Sequence, residues 1–169
     1  MKRTFLSLCI FLIVSFCKAQ ADKEFTFNAG GEIGYATGDF NANHTLGFGV
    51  SAQCEYSFSE AASVTGNIGF INFATKAIYD TLPAGVFAKS QPAFTGVPVL
   101  LGFKFNIADK FYGHPQGGLV FTNNIIASSY TFCVGMQTSK HADFSIRYQS
   151  IIKSRVIGSF VMARVAYVF

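Results

Sequence analysis

Charge is scarce in this sequence. Asp, Glu, Lys and Arg make up 13% of 169 residues, about half the share of an ordinary soluble domain, so few groups are available to hold a water-facing surface. Tryptophan is absent, and the four cysteines are too few and too scattered for a disulfide framework. No metal-ligand spacing, internal repeat or linker interrupts the chain, so one domain without a cofactor is expected. What the chain holds instead is apolar and small. Half of it is hydrophobic, its mean hydropathy of +0.35 is high for a soluble protein, and it carries 20 Phe, 7 Tyr and 16 Gly. Aromatics suit pleated surfaces and glycine is poor inside a helix, so this balance predicts strands.

The N-terminus accounts for part of the hydrophobicity. Lys2 and Arg3 precede the apolar run FLSLCIFLIVSFC, and Ala19-Gln20-Ala21 follows with small residues at the spacing signal peptidase reads. Residues 1–21 are read as a cleaved secretory signal, with cleavage between Ala19 and Ala21, and residues 22–169 as the mature domain. The run is shorter than the ~20 residues of a membrane-spanning helix. Phe16 stands before Cys17 where a lipoprotein signal needs a small residue. Losing the signal removes Lys2, Arg3 and Lys18, leaving ten basic against nine acidic residues, which gives no electrostatic reason to expect a nucleic-acid partner. Cys9 and Cys17 leave as well, and Cys54 and Cys133 fall on opposite faces of their strands, so no structural disulfide is expected.

Eight segments alternate apolar and polar residues with the period of two that marks a strand with two unlike faces. They are FTFNAGGEIGYAT, TLGFGVSAQCEYSF, ASVTGNIGFINF, GVPVLLGFKFNI, FYGHPQGGLVF, two segments centred on Phe132 and Ile146, and GSFVMARVAYVF at the C-terminus. In the third, Ile71 and Phe73 break phase with Val64, Ile68 and Phe70. In the fifth, glycines and Pro115 blur the edges. Short polar links at Ser59 to Ala61, Ala108 to Lys110 and Ser139 to Ala142 alternate with looser ones around Gly38 to His44, Ala74 to Ala93, Thr122 to Ser128 and Ser150 to Ile157. This alternation predicts an all-β, eight-stranded antiparallel transmembrane barrel with short periplasmic turns and longer extracellular loops.

The charged residues decide which face meets lipid. Glu32, Glu55, Lys104, Arg147 and Arg164 all fall on the polar faces. A lipid-facing Lys or Arg costs roughly 2–4 kcal/mol at the bilayer midplane, so their absence from the apolar faces is what a membrane exterior enforces. A soluble, lipocalin-like binding barrel would need many more charges outside.

In these features the chain resembles the small outer-membrane β-barrels of Gram-negative bacteria, and in particular the outer membrane β-barrel domain family of Bacteroidota. VPVLLGFKF, the turn IADKFYG and GGLVF look like that family's fourth and fifth strands, and FSIRYQSI like its seventh. SSYTFCVGMQT lacks the Asp-x-Gly often found in the sixth. The resemblance implies residence in the outer membrane, with the lipid bilayer as partner. Tyr167 and Phe169 resemble the C-terminal signal read by the barrel-assembly machinery.

Function then has to come from the lumen or the loops. Eight strands enclose a space that side chains can fill, so the five charged residues with Gln53, Gln137 and Gln149 are expected to form a packed interior, and Arg164 and Glu32 become neighbours when the last strand meets the first. A structural or surface-interaction role follows from a filled lumen; a minor pore for ions or small solutes follows from a narrow polar conduit. An enzyme would need a nucleophile or activated water beside a histidine and an acid. His44 and Asp39 share a loop, while His114 and His141 lie elsewhere, so catalysis is not expected. The loop 74–93 is longer than a reversal requires, and Ile78, Tyr79, Leu82, Val86 and Phe87 suit it to packing on the rim or recognising an extracellular partner.

Overall fold

The computed structural model describes residues 25–76, 78–82, 85–89, 92–122, 125–153 and 155–169; the segment read as a signal lies outside them. Each alternating segment becomes a long strand: β1 (Phe25–Thr37), β2 (His44–Ser57), β3 (Ala62–Thr75), β6 (Phe94–Asn106), β7 (Phe111–Thr122), β8 (Ile126–Ser139), β9 (Ala142–Lys153) and β10 (Arg155–Val168). Between them lie a one-turn helix α1 (Phe40–Asn43) and a separate two-stranded hairpin of β4 (Ile78–Leu82) and β5 (Gly85–Lys89).

The eight long strands close in the order β1-β10-β9-β8-β7-β6-β3-β2, every pair antiparallel. Closure leaves no open edge, which is what allows strands to cross a bilayer with every backbone group paired. β1 meets β10 from Asn28↔Val168 to Thr37↔Ser159. Two prolines sit inside the wall without shifting its register. The β6–β7 ladder is interrupted opposite Pro115, between Gly102↔Gln116 and Phe105↔Gly113, and the β3–β6 ladder beside Pro98, between Ile68↔Val99 and Ile71↔Gly96. A residue without an N–H is accommodated where the pairing lapses.

The period of two resolves into an outside and an inside. Ile33, Phe48, Leu101, Ile146 and Val165 are exposed on the outer wall, whereas Glu32, Gln53, Lys104, Arg147 and Arg164 are buried within it. The outer wall ends in aromatic side chains beside the short turns, where Phe25 packs on Tyr56, Phe58 on Phe103 and Tyr167 on Phe169 with ring centroids 4.8, 5.8 and 5.1 Å apart. That belt is the position of a membrane interface. Cys54 and Cys133 are free thiols.

Three details differ from expectation. Ile71 and Phe73 do not break phase: they continue the inward face of β3 and are 2% and 0% exposed, because the lumen itself turns apolar at its loop end. The links expected around Thr122 to Ser128 and Ser150 to Ile157 are mostly strand, since β7 runs to Thr122, β8 starts at Ile126, and β9 and β10 reach Lys153 and Arg155. The segment 74–93 is no simple loop, because β4 and β5 pair within it from Ile78↔Lys89 to Leu82↔Gly85.

Candidate functional site

The lumen is layered along the barrel axis. Its loop end is an apolar cluster of Ala36, Phe40, Ile71, Phe73, Val120, Ala127, Ile151, Phe160 and Met162, with Phe94 and Ile157 against it. Phe40 comes from outside the wall. Gly38 adopts φ +56°, a left-handed conformation that suits glycine, and turns the chain from β1 into α1 so that Phe40 drops into the barrel mouth. There it meets Phe94 and Phe73 edge-on, at centroid distances of 5.3 and 5.4 Å. His44 stacks on its ring at 4.3 Å. A Cβ on Gly158 would come within 2.9 Å of that ring, so glycine makes the space Phe40 fills. Lys76 fastens α1 to the end of β3 by donating from Nζ to the Asn41 carbonyl oxygen at 2.6 Å and to its side-chain Oδ1 at 2.8 Å.

Below this cluster lies a charged network. Glu32 and Arg164 are directly paired across the closing β1–β10 seam. Arg147 bonds the same Glu32 oxygen, and Arg164 Nε lies 3.5 Å from it. Ser51 joins the two, donating to Glu32 at 2.6 Å and accepting from Arg164 Nε at 2.9 Å. Arg164 also donates to Asn28 Oδ1 at 2.6 Å and stands 3.8 Å from Asp143. Closer to the turns, Lys104 bonds Glu55 at 2.9 Å, Ser63 donates to the other Glu55 oxygen at 2.7 Å, and the Tyr112 hydroxyl donates to Asp143 at 2.8 Å. Buried charges persist where partners and hydrogen bonds compensate lost hydration, and here every one has both.

The lumen therefore brings together all five charged residues singled out from the sequence, in two linked groups. Gln53 and Gln149 are buried with them. Gln137 is not: it lies exposed at the turn-side mouth, because β8 extends past the packed layer there. Asp143, Tyr112, Ser51, Asn28 and Thr65 complete the network without a signal in the sequence, together with His114, which the sequence marks only as a histidine away from the first loop and which lies 2.7 Å from Thr65 in a hydrogen bond. Tyr112 reaches the lumen only because its ring passes Gly135, where a Cβ would come within 2.2 Å of it. That is a cross-strand relation and leaves no local signal.

The three histidines stay apart. His44 lies in the apolar cluster, His114 in the network, and His141 at a turn, stacked on Tyr167 at 5.3 Å with Nδ1 2.9 Å from the Val168 carbonyl oxygen. Asp39 is exposed at the start of α1. Among the described residues no group of three or more His, Cys, Asp or Glu could hold a metal ion. Tyr79, Leu82, Val86 and Phe87 lie on the β4–β5 backbone, and their side chains fall outside the described set. Phe169 N–H donates to the Phe27 carbonyl oxygen at 2.9 Å, tying the terminal residue to β1 beside Tyr167.

No family model and no curated protein matches the chain. Among solved structures it is similar to Ail, the attachment invasion locus protein of Yersinia pestis, with a TM-score of 0.57 and 14% identity over 86% of this chain and 98% of that one. The same protein in a phospholipid bilayer nanodisc gives 0.51 and 16%, over 84% and 99%. A de novo designed transmembrane β-barrel gives 0.53 and 14%, over 85% and 95%. At such identities the likeness is one of fold, and the fold is that of a small eight-stranded outer-membrane β-barrel.

Proposed function

We propose that this chain is an integral outer-membrane protein of the cell envelope, closed to passage through its lumen, that acts by presenting its loop end to an extracellular partner. The observation that carries this reading is the contrast between the two ends. The loop end is filled by Phe40, Phe73 and Phe160, each 6% exposed or less, while the elaborated segments α1 and β4–β5 stand around it. A barrel filled this way has its loops left as the place for function, and the lumen network serves to hold the wall in one register. Ail, an attachment protein by name, supports a surface role in this fold. The grouping with the Bacteroidota outer membrane β-barrel domain family, residues 1–21 as a secretory signal, and Tyr167 and Phe169 as the signal for assembly belong to the same reading. No enzymatic step is assigned, since among the described residues no histidine is hydrogen-bonded to both an acid and a nucleophile. The narrow-pore alternative is the weaker reading because the apolar cluster spans the mouth.

The test is to display the chain on cells that lack other adhesins and measure their retention on immobilised host-matrix or bacterial-cell surfaces. Retention should rise over cells without the chain and fall to that background when 77–91 is deleted, with the heat-dependent gel shift of the closed barrel preserved. Retention equal to background with the intact, folded chain would remove the surface-interaction role.

A further inference from the structure

The two ends of the lumen differ in polarity as well as in closure. Opposite the apolar cluster, a cavity of about 190 Å3 lies at the turn end. Its lining is almost wholly polar, with the hydroxyls of Thr26, Ser57 and Ser63, the Asn106 amide and, at its floor, the Lys104–Glu55 pair. Deeper in, between the charged groups, a second cavity of about 10 Å3 is lined by Asn67, Gln116, His114 and Arg147 among others. Asn67 Oδ1 and Gln116 Nε2 are buried there without a protein partner, one an acceptor and the other a donor. Both residues are more than nine-tenths buried. A buried polar atom without a partner is costly, and a space of roughly 10–15 Å3 with two to four polar partners holds a water.

We propose that the lumen is a blind aqueous well, open to the periplasm through the turn-end vestibule and stopped outward by Phe40 and its neighbours, with an ordered water bound between Asn67 Oδ1 and Gln116 Nε2. The charges of the well fit neutral occupants. Within the well Glu32, Glu55 and Asp143 are matched by Lys104, Arg147 and Arg164, so the paired interior offers no unmatched charge to hold an ion, while the exposed Glu60 at the vestibule rim adds one negative charge at the entrance. Water and small uncharged polar solutes are the class it takes. This goes beyond a closed barrel, because it assigns the closure to one end and solvent to the other.

Sided thiol labelling tests it. In the full mature chain with Cys54→Ala and Cys133→Ala, Ser57→Cys places a reporter on the vestibule wall, with Thr26→Cys as a second position should the first not fold. Gln137→Cys, exposed at the turn end, reports barrel orientation in vesicles. A small, membrane-impermeant methanethiosulfonate is then added to one face at a time. The reporter should react at least tenfold faster from the turn face. Equal rates from both faces would overturn the well and closure together. Reaction from neither face would overturn the well while leaving closure standing, and faster reaction from the loop face would overturn both. A high-resolution crystal structure should show an ordered water between Asn67 and Gln116; absence of density there would remove the bound water.

Discussion

Glu32 shows how a single side chain holds the seam of the barrel. It receives Arg147, Arg164 and Ser51 at once, so its removal leaves Arg147 buried without an acid and Arg164 with only the more distant Asp143. Breaking a buried pair by deleting one partner costs roughly 3–5 kcal/mol. Glu32→Ala should destabilise the folded barrel by about that much in urea unfolding, and Arg164→Ala similarly, whereas truncating the lipid-facing Ile33 should matter less. Gly135→Val should also destabilise, because a side chain there displaces the Tyr112 ring and breaks its bond to Asp143; a midpoint equal to that of the parent would contradict this packing. The pairing of Glu32 with Arg164 was legible in the sequence, since alternation gives the face and antiparallel closure brings the first and last strands together. Asp143 was not, because an acid two residues past a turn histidine reads as a turn residue. Tyr112 was not, because an aromatic in a strand reads as lipid-facing until the glycine opposite it is known.

At the scale of elements, the strands were legible and the closure of the mouth was not. Period-two alternation depends on neighbours in sequence, so β1 was placed with both its ends and the other seven to within a few residues. Ile71 and Phe73 read as a phase error in the sequence because an inward face is expected to be polar throughout. Inward residues become apolar where Phe40 enters from α1, and α1 depends on contacts with β3, β6 and β10 that lie far away in sequence. Burying a phenylalanine this fully predicts that Phe40→Ala costs about 3 kcal/mol, measurable as a lower urea midpoint in lipid vesicles. Lys76→Ala, which releases the latch on Asn41, should raise protease cleavage near residues 38–43 without unfolding the wall. Cleavage unchanged from the parent would mean that packing alone holds α1.

For the whole molecule, composition and face assignment together carried the fold: few charges, with those in the cores of the barrel strands all on the inward face, leave an outer wall that only hydrocarbon can cover. Val50 lies midway along β2 on that wall and is 59% exposed. Val50→Arg should cost roughly 2–4 kcal/mol of stability in a bilayer, the expense of a cation at the midplane. The central claim, a membrane-spanning barrel closed at its outward end, is tested most directly by ion conductance of the refolded mature chain in a planar bilayer, with the heat-dependent gel shift confirming closure. The account predicts conductance no greater than that of the bare bilayer. Steady channels from demonstrably folded barrels would contradict it.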